Sequence, residues 1–186
     1  RITYSQGFGV GNRKIELIGE GYFEVKRNEE VPFLVKTNSL LVKVLGTKFN
    51  FRDYPDDAEA VVSLSEGKVA LNNLLKKEKE AFLLPNERVV LNKKNGRMHV
   101  EYSTVSNALQ WTNGYLFFDE ELLPDVVKEL ERSYNVKIQI ASDTLNTFRF
   151  YGNFVHREQN IQEVLEALSA TRKIHYIIEG HNITLY

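Results

Sequence analysis

A strand, a glycine and a second strand follow one another between Val42 and Phe51, and this stretch constrains the fold more than any other. Apolar residues alternate with other residues on both sides of the glycine. Because the side chains of a strand alternate between two faces, this period buries one face of each piece. Gly46 lies where the pattern changes, and a glycine there marks a bulge or a close backbone approach. We therefore predict a bend that brings Val44 and Phe49 into one core.

Strand patterns also fill the rest of the first 102 residues, which show no helical period. Turn signals recur roughly every 8 to 12 residues, a spacing typical of a sandwich, a barrel or a short β-solenoid. Among them, Asn95-Gly96 predicts a two-residue hairpin turn, because both residue types tolerate positive φ. We therefore predict an all-β domain at residues 1–102, built as a sandwich or a short β-solenoid from strands of antiparallel type.

The pattern changes at residues 103–110, which are mostly small and polar and predict a linker. In residues 111–186, two stretches place apolar side chains at helical spacing, at 122–134 and at 161–168. Short strand patterns surround both stretches. The predicted element order is β-α-β-β-α-β-β, which makes residues 111–186 a small α+β domain.

The predicted helices carry recognisable start signals. Pro124 suits the first turn of the first helix, where a missing N–H costs nothing. Asn160, with Glu163 three residues later, predicts a capping box at the start of the second helix. Glu131 and Arg132 lie on the first helix, and we interpret them as a solvated or interdomain pair.

Composition excludes several classes of function. The chain has no cysteine, which excludes disulfide scaffolds, zinc–thiolate sites, iron–sulfur clusters and thiol nucleophiles. The net charge of −1, from 24 basic and 25 acidic residues, supplies no field that would steer the chain to nucleic acid. No apolar run approaches the roughly 18 residues that span a bilayer, and no signal peptide is visible. Because the chain opens on Arg1 without an initiator Met, we expect a piece of a longer protein.

Possible catalytic and ligand-binding groups do not form a convincing site. The glycines at 7, 9 and 11 are interpreted as a flexible turn, because no helix follows them as a phosphate loop requires. The four histidines lack metal-ligand spacing, and the acidic loop at 53–59 lacks the calcium-loop pattern. We therefore predict no enzyme, no cofactor and no metal site. Trp111 is interpreted as a domain-interface anchor or, alternatively, as a platform for a ligand.

Motifs in both halves resemble one family. Five segments of the first half occur in the order of the FecR domain of cell-surface-signalling anti-sigma regulators, and they resemble it at 19–25, 32–35, 44–50, 64–69 and 84–87. Four segments of the second half resemble the C-terminal domain of Bacteroidetes-type FecR regulators, at 111–118, 130–138, 151–154 and 164–168. That domain is similar to the secretin and TonB N-terminal (STN) fold. Asn86 replaces a family glycine and, like glycine, tolerates positive φ.

The resemblance implies a function and a set of partners. It implies the periplasmic sensor region of a membrane-anchored anti-sigma regulator, whose first domain is trimmed at its N-terminus here. Its sigma-binding helices and transmembrane helix would lie outside this chain. The region would relay the state of a TonB-dependent outer-membrane transporter to an extracytoplasmic-function sigma factor through contact with the transporter's signalling domain. The alternative is a periplasmic glycan-binding module.

The candidate partner-binding residues are the last predicted strand and the tryptophan. An STN-like unit has short sheet edges to which a partner can add a strand. We take the closing strand as such an edge and add Trp111 to the candidate partner-binding residues. The predicted partner-binding residues are therefore Ile183, Thr184, Leu185, Tyr186 and Trp111.

Overall fold

The computed structural model describes residues 1–4, 7–102, 109–170 and 172–186, and it divides the chain into two units. The units are Arg1–Leu109 and Gln110–Tyr186, and each has its own hydrophobic core. Most of the predicted linker, residues 103–108, lies outside the described residues, so the linker and the exact domain boundaries stay predictions.

The described part of the first unit is built from strands alone, as predicted. The strands are β1 (Ile2–Tyr4), β2 (Lys14–Leu17), β3 (Gly19–Val25), β4 (Phe33–Lys36), β5 (Leu40–Val44), β6 (Thr47–Asp53), β7 (Glu59–Glu66), β8 (Val69–Asn73), β9 (Ala81–Leu83), β10 (Glu87–Asn92) and β11 (Met98–Tyr102). They form a six-stranded sheet of order β1-β2-β4-β5-β8-β9 and a five-stranded sheet of order β11-β10-β7-β6-β3. Within these sheets β2 and β4 pair in parallel, and the other neighbouring strands pair antiparallel.

The two sheets share one core, which makes the first unit a sandwich, the first of the two predicted options. Val42 and Val44 come from the six-stranded sheet, and Phe49 and Phe51 come from the five-stranded sheet. All four side chains are at most 1% exposed. The predicted convergence of Val44 and Phe49 is thus confirmed. Gly46 lies at the corner where the chain passes from one sheet to the other.

The turn between β10 and β11 differs from the predicted two-residue hairpin. The amide of Asn92 donates to the carbonyl of Arg97 at 2.9 Å, so residues 93–96 form a longer loop. The side-chain oxygen of Asn92 accepts from the amides of Lys94 and Asn95 at 3.1 and 3.2 Å. These hydrogen bonds from the loop amides to the Asn92 side chain favour the wider turn. Among the loop residues 93–96, Gly96 alone has a positive φ.

The second unit contains five strands and two α-helices in the predicted order β-α-β-β-α-β-β. The elements are β12 (Tyr115–Leu122), α1 (Leu123–Tyr134), β13 (Lys137–Ile140), β14 (Arg149–Val155), α2 (Ile161–Ser169), β15 (Tyr176–Glu179) and β16 (Asn182–Leu185). Strands β12 and β14 form a two-stranded sheet, and the other three form a sheet of order β13-β16-β15. Neither helix in the described ranges is long and apolar enough to cross a membrane.

Both predicted helix starts are confirmed. Pro124 lies in the first turn of α1. At the start of α2, the Glu163 amide donates to the Asn160 side chain at 3.1 Å, and the Asn160 amide donates to the Glu163 carboxylate at 2.8 Å. The reciprocal bonds satisfy two donors that a helix start leaves unpaired. Both helices bury their apolar faces in the core of the second unit.

Candidate functional site

The closing strand is not a sheet edge, which corrects the sequence prediction. Strand β16 lies between β13 and β15 and pairs with both. The Ala141 amide donates to the Leu185 carbonyl at 2.8 Å on one side, and Tyr186 and His175 exchange backbone bonds on the other. Ile183 is 2% exposed and Leu185 is fully buried. The last strand of the chain is central because the parallel partner β13 joins it from the far side, so no partner strand can add there.

The predicted partner-binding residues with exposed or partly exposed side chains remain candidates for side-chain contact with a partner. Tyr186 is 49% exposed, with its ring centroid 5.8 Å from that of His175. Thr184 is partly exposed on β16. Trp111 is 39% exposed on a 3-10 turn, Gln110–Asn113, that precedes β12. Their side chains can contact a partner, but not through strand pairing, and partner binding by these residues stays a prediction.

One true edge of the three-stranded sheet has an outward amide bonded to a side chain. Strand β13 is the edge on one side, and its Ile138 amide donates to the Glu131 carboxylate of α1 at 2.9 Å. Lys137 reaches the same carboxylate at 3.9 Å. Glu131 therefore caps an edge amide within the second unit and is not merely solvated, while the interdomain alternative for Glu131 and Arg132 stays a prediction. The bond to Glu131 occupies one of the outward backbone groups of β13.

The opposite edge, strand β15, presents unpaired backbone groups. His175 and Tyr186 exchange both backbone hydrogen bonds, at 2.9 and 3.0 Å. In an antiparallel ladder the bonded pairs alternate along the strand, so Ile177 bonds to β16 while Tyr176 and Ile178 direct their amides and carbonyls outward. Within the described part of the chain, no hydrogen bond meets these outward groups.

The side chains of β15 are apolar and accessible. Ile177 is 50% exposed and Ile178 is 40% exposed, and they point to opposite faces of the strand. Exposed apolar side chains beside free backbone donors and acceptors are the combination that a partner strand recognises. We call Tyr176–Glu179 the open edge. The sequence placed a strand here, but its edge position depends on pairings that the sequence does not show.

The first unit contains a second concave surface at the sheet corners. The corner at Gly46 packs so tightly that a Cβ there would lie 2.7 Å from the Cα of Arg27. At Gly67, which joins β7 to β8 with φ of 93°, a Cβ would lie 2.6 Å from the Gly46 carbonyl oxygen. Three crossings between the sheets are therefore stacked against one another.

Beside these stacked crossings lies a cavity of about 600 Å³. We call it the corner groove and define it by Lys43, Gly46, Lys68, Ala70 and Phe82. The Lys68 ammonium lies 4.5 Å from the centroid of the Phe82 ring, which is 50% exposed. The groove thus combines positive charge with an apolar wall.

Two tyrosines of the second unit have a raised pKa for different reasons. Burial raises the pKa of Tyr134, and the charge of Glu163 adds to it. The Tyr134 hydroxyl donates to the Gln159 carbonyl at 3.2 Å. The pKa of Tyr151 is raised first by the hydrogen bond of its hydroxyl to the Glu120 carboxylate. Over the described residues, no group of three or more His, Asp or Glu side chains could hold a metal ion.

Comparison with known proteins gives matches across both units. The family model "FecR protein" matches residues 1–70, and the model "FecR, C-terminal" matches residues 115–185. No curated protein matches the chain. Two crystal structures of a protein from Parabacteroides distasonis ATCC 8503, described as an anti-sigma factor, at 1.65 and 2.50 Å resolution, are similar to it. Each is 32% identical to this chain, with a TM-score of 0.88. Each match covers 100% of this chain, and the two matches cover 85% and 84% of the respective crystal-structure chains.

Both family matches occur in the order that the sequence motifs predicted, and the similar crystal structures span both units. The matched region of the first model includes both stacked glycine corners, and that of the second includes the open edge. The recognition of the family from the sequence is confirmed, and so is the predicted sequence of an all-β domain and a small α+β domain. The chain therefore belongs to the FecR family of anti-sigma regulators.

Proposed function

We propose that this chain is the periplasmic sensor region of a membrane-anchored anti-sigma regulator. In this role it relays the state of a TonB-dependent outer-membrane transporter to an extracytoplasmic-function sigma factor. Family membership supports the link to a sigma factor. The relay itself requires a protein–protein interface and no chemistry in this region.

The observation that carries the proposal is the open edge of the second unit. Its outward backbone groups at Tyr176 and Ile178 can pair with an extended segment of the transporter's signalling domain. Main-chain bonds supply affinity in this mode, and pockets for alternate side chains supply specificity. On the opposite edge, strand β13 has one outward amide already bonded to Glu131, whereas no hydrogen bond among the described residues meets the outward groups of β15.

The experiment is a binding titration with the signalling domain of the transporter encoded nearby. Ile178→Pro removes an outward amide while leaving the bonds to β16 intact, because Ile178 does not donate to β16. Losing a donor that the partner strand needs weakens binding roughly tenfold, equivalent to about 1.4 kcal/mol. Ile178→Val is the matched control, since it keeps the amide and a similar apolar side chain. Thermal melts of both variants verify that the second unit is folded.

Two results would count against the proposal at different levels. Wild-type affinity of a folded Ile178→Pro protein would remove the open edge as the contact. The absence of any binding at high micromolar concentration would count against the transporter relay itself. A thermal-shift gain with a sugar, lost in Trp111→Ala, would favour the glycan-binding alternative.

A further inference from the structure

The floor of the corner groove is a notch on the outer face of the six-stranded sheet, where a small residue lies between two large ones. Lys43 of β5 is directly opposite Ala70 of β8, and Ala70 is directly opposite Phe82 of β9. These side chains point away from the core, because their chain neighbours Val44, Val69 and Leu83 point into it. The methyl group of Ala70 leaves the space between the lysine and the phenylalanine open.

Positive charge borders the notch on both sides of Ala70, from Lys43 on β5 and from Lys68 beside the Phe82 ring. Lys68 precedes β8 by one residue and faces the Phe82 ring, and Lys43 makes no ion pair with the described residues. Arg27 also borders the cavity, but its guanidinium is paired with Glu29 at 2.5 Å. Glu80 lies at the β9 end of the cavity. A negative group is therefore favoured beside Lys43 and Lys68 and disfavoured beyond Phe82.

The shape of the groove fits an extended chain. The lining begins at Pro32, just before β4, and crosses β5, β8 and β9. Three strand spacings of about 4.8 Å give a length of roughly 14 Å, which about four extended residues would span. The volume of about 600 Å³ is within the range of specific binding pockets.

We propose that the corner groove binds an extended segment of a partner protein in which an acidic residue and an apolar residue are separated by one residue, so that both side chains point to the same face. The carboxylate is held by the Lys43 and Lys68 ammonium groups. The apolar side chain lies over Ala70 against the Phe82 ring. This site is in the first unit and is separate from the open edge, so it supplies a second, charge-dependent contact independent of strand addition.

The test uses the whole chain, labelled with nitrogen-15, and a capped tetrapeptide, acetyl-Glu-Gly-Leu-Gly-amide, whose Glu and Leu share one face when the peptide is extended. We expect the amide signals of Gly46, Gly67 and Ala70 to shift on titration, while those of β15 stay in place. The same peptide with Gln in place of Glu is the ligand control, and it should bind at least threefold more weakly. Raising the salt concentration should weaken the binding of the Glu peptide and leave that of the Gln peptide unchanged.

Matched protein variants separate charge from shape. Lys43→Gln and Lys68→Gln should each lower the affinity roughly two- to fivefold, the size of one exposed charge contact. Lys36→Gln is the control, because Lys36 lies on the same sheet in β4 but outside the cavity. Phe82→Ala should also weaken binding without unfolding the unit, since half of the Phe82 side chain is exposed.

Three results would overturn the proposal. The first is the absence of shifts at Gly46, Gly67 and Ala70 at millimolar peptide. The second is equal affinity for the Glu and Gln peptides, which would remove the role of the lysines. The third is binding of phenylacetate as tight as that of the peptide, which would assign the groove to small carboxylates. None of these results depends on whether the transporter domain binds at β15.

Discussion

Substitution of Gly46 by alanine tests the packing of the sheet corners. The new Cβ would lie 2.7 Å from both Cα and Cβ of Arg27 and 3.1 Å from its Cγ. Carbon atoms in contact prefer about 3.5–4.0 Å, so the overlap is close to 1 Å, and part of it is against backbone. The side chain of Arg27 can move, but its backbone can move only with the neighbouring crossing.

The magnitude follows from two opposing effects. Gly46 does not have positive φ, so alanine fits the backbone and gains about 0.5 kcal/mol by restricting the unfolded chain. Overpacking against the adjacent crossing costs about 2–3 kcal/mol. The net loss in free energy of unfolding is about 2 kcal/mol, which lowers the melting temperature of a unit of this size by roughly 8–16 °C. Valine, with two further methyl groups, should cost more.

The assay is thermal unfolding followed by the amide signals of Val44 and Phe49, which report the first unit. Trp111 is the sole tryptophan of the chain, and its fluorescence follows the second unit separately. Arg27→Gly should recover part of the loss in the double variant, because it removes the clashing side-chain atoms and leaves only the overlap with the backbone of residue 27. We expect a coupling of about 1 kcal/mol between the two substitutions.

Gly11→Ala is a matched control in the same unit. Gly11 has φ of 71°, and a Cβ there meets nothing within 4 Å, so alanine pays only a conformational cost of about 1 kcal/mol. That cost should be independent of Arg27→Gly. An unchanged melting temperature for Gly46→Ala would refute the packing argument. A Gly46→Val protein with wild-type stability would refute it as well.

Two further predictions concern ionisable groups, a buried one in the first unit and a partly buried one in the second. Lys93→Met should lower the unfolding free energy of the first unit by about 3 kcal/mol, measured by urea denaturation. The buried Asp53 carboxylate lies 2.7 Å from the Lys93 ammonium, and the substitution leaves it without a counter-charge. Asp53→Asn in the same background should restore part of the lost free energy. Tyr134 has a pKa raised above 10.0, so its contribution to stability is complete below pH 10 and is lost as the pH rises through the higher folded value. Tyr134→Phe should remove that alkaline dependence, and an unchanged dependence would contradict the assignment.

Local signals in the sequence predicted the elements accurately because their causes are local. Asn160 and Glu163 are three residues apart, and a capping box needs only that spacing. Pro124 likewise starts a helix by its own fixed φ. The predicted two-residue turn at Asn95-Gly96 was wrong because the side chain of Asn92, outside the dipeptide, accepts hydrogen bonds from two loop amides and favours a longer loop.

The candidate site was less predictable because edges and grooves depend on distant pairings. Glu131 caps the Ile138 amide seven residues away, and nothing in the helix pattern signals that bond. The closing strand was placed at an edge, but β13 pairs with it in parallel from the other side. The open edge is β15 as a result of these pairings. The corner groove depends on a register that sets Ala70 between Lys43 and Phe82.

The sequence by itself therefore determined the elements, their order, the family and the convergence of Val44 and Phe49 in one core, because period-two alternation and motif order are properties of the chain. Only the tertiary structure decided that these two residues come from opposite sheets. Only it showed that Gly46 must be small because Arg27, 19 positions earlier, packs against it. Packing between residues far apart in the chain leaves no periodic trace, so only the folded structure reveals which sheet edge is open and where a groove forms.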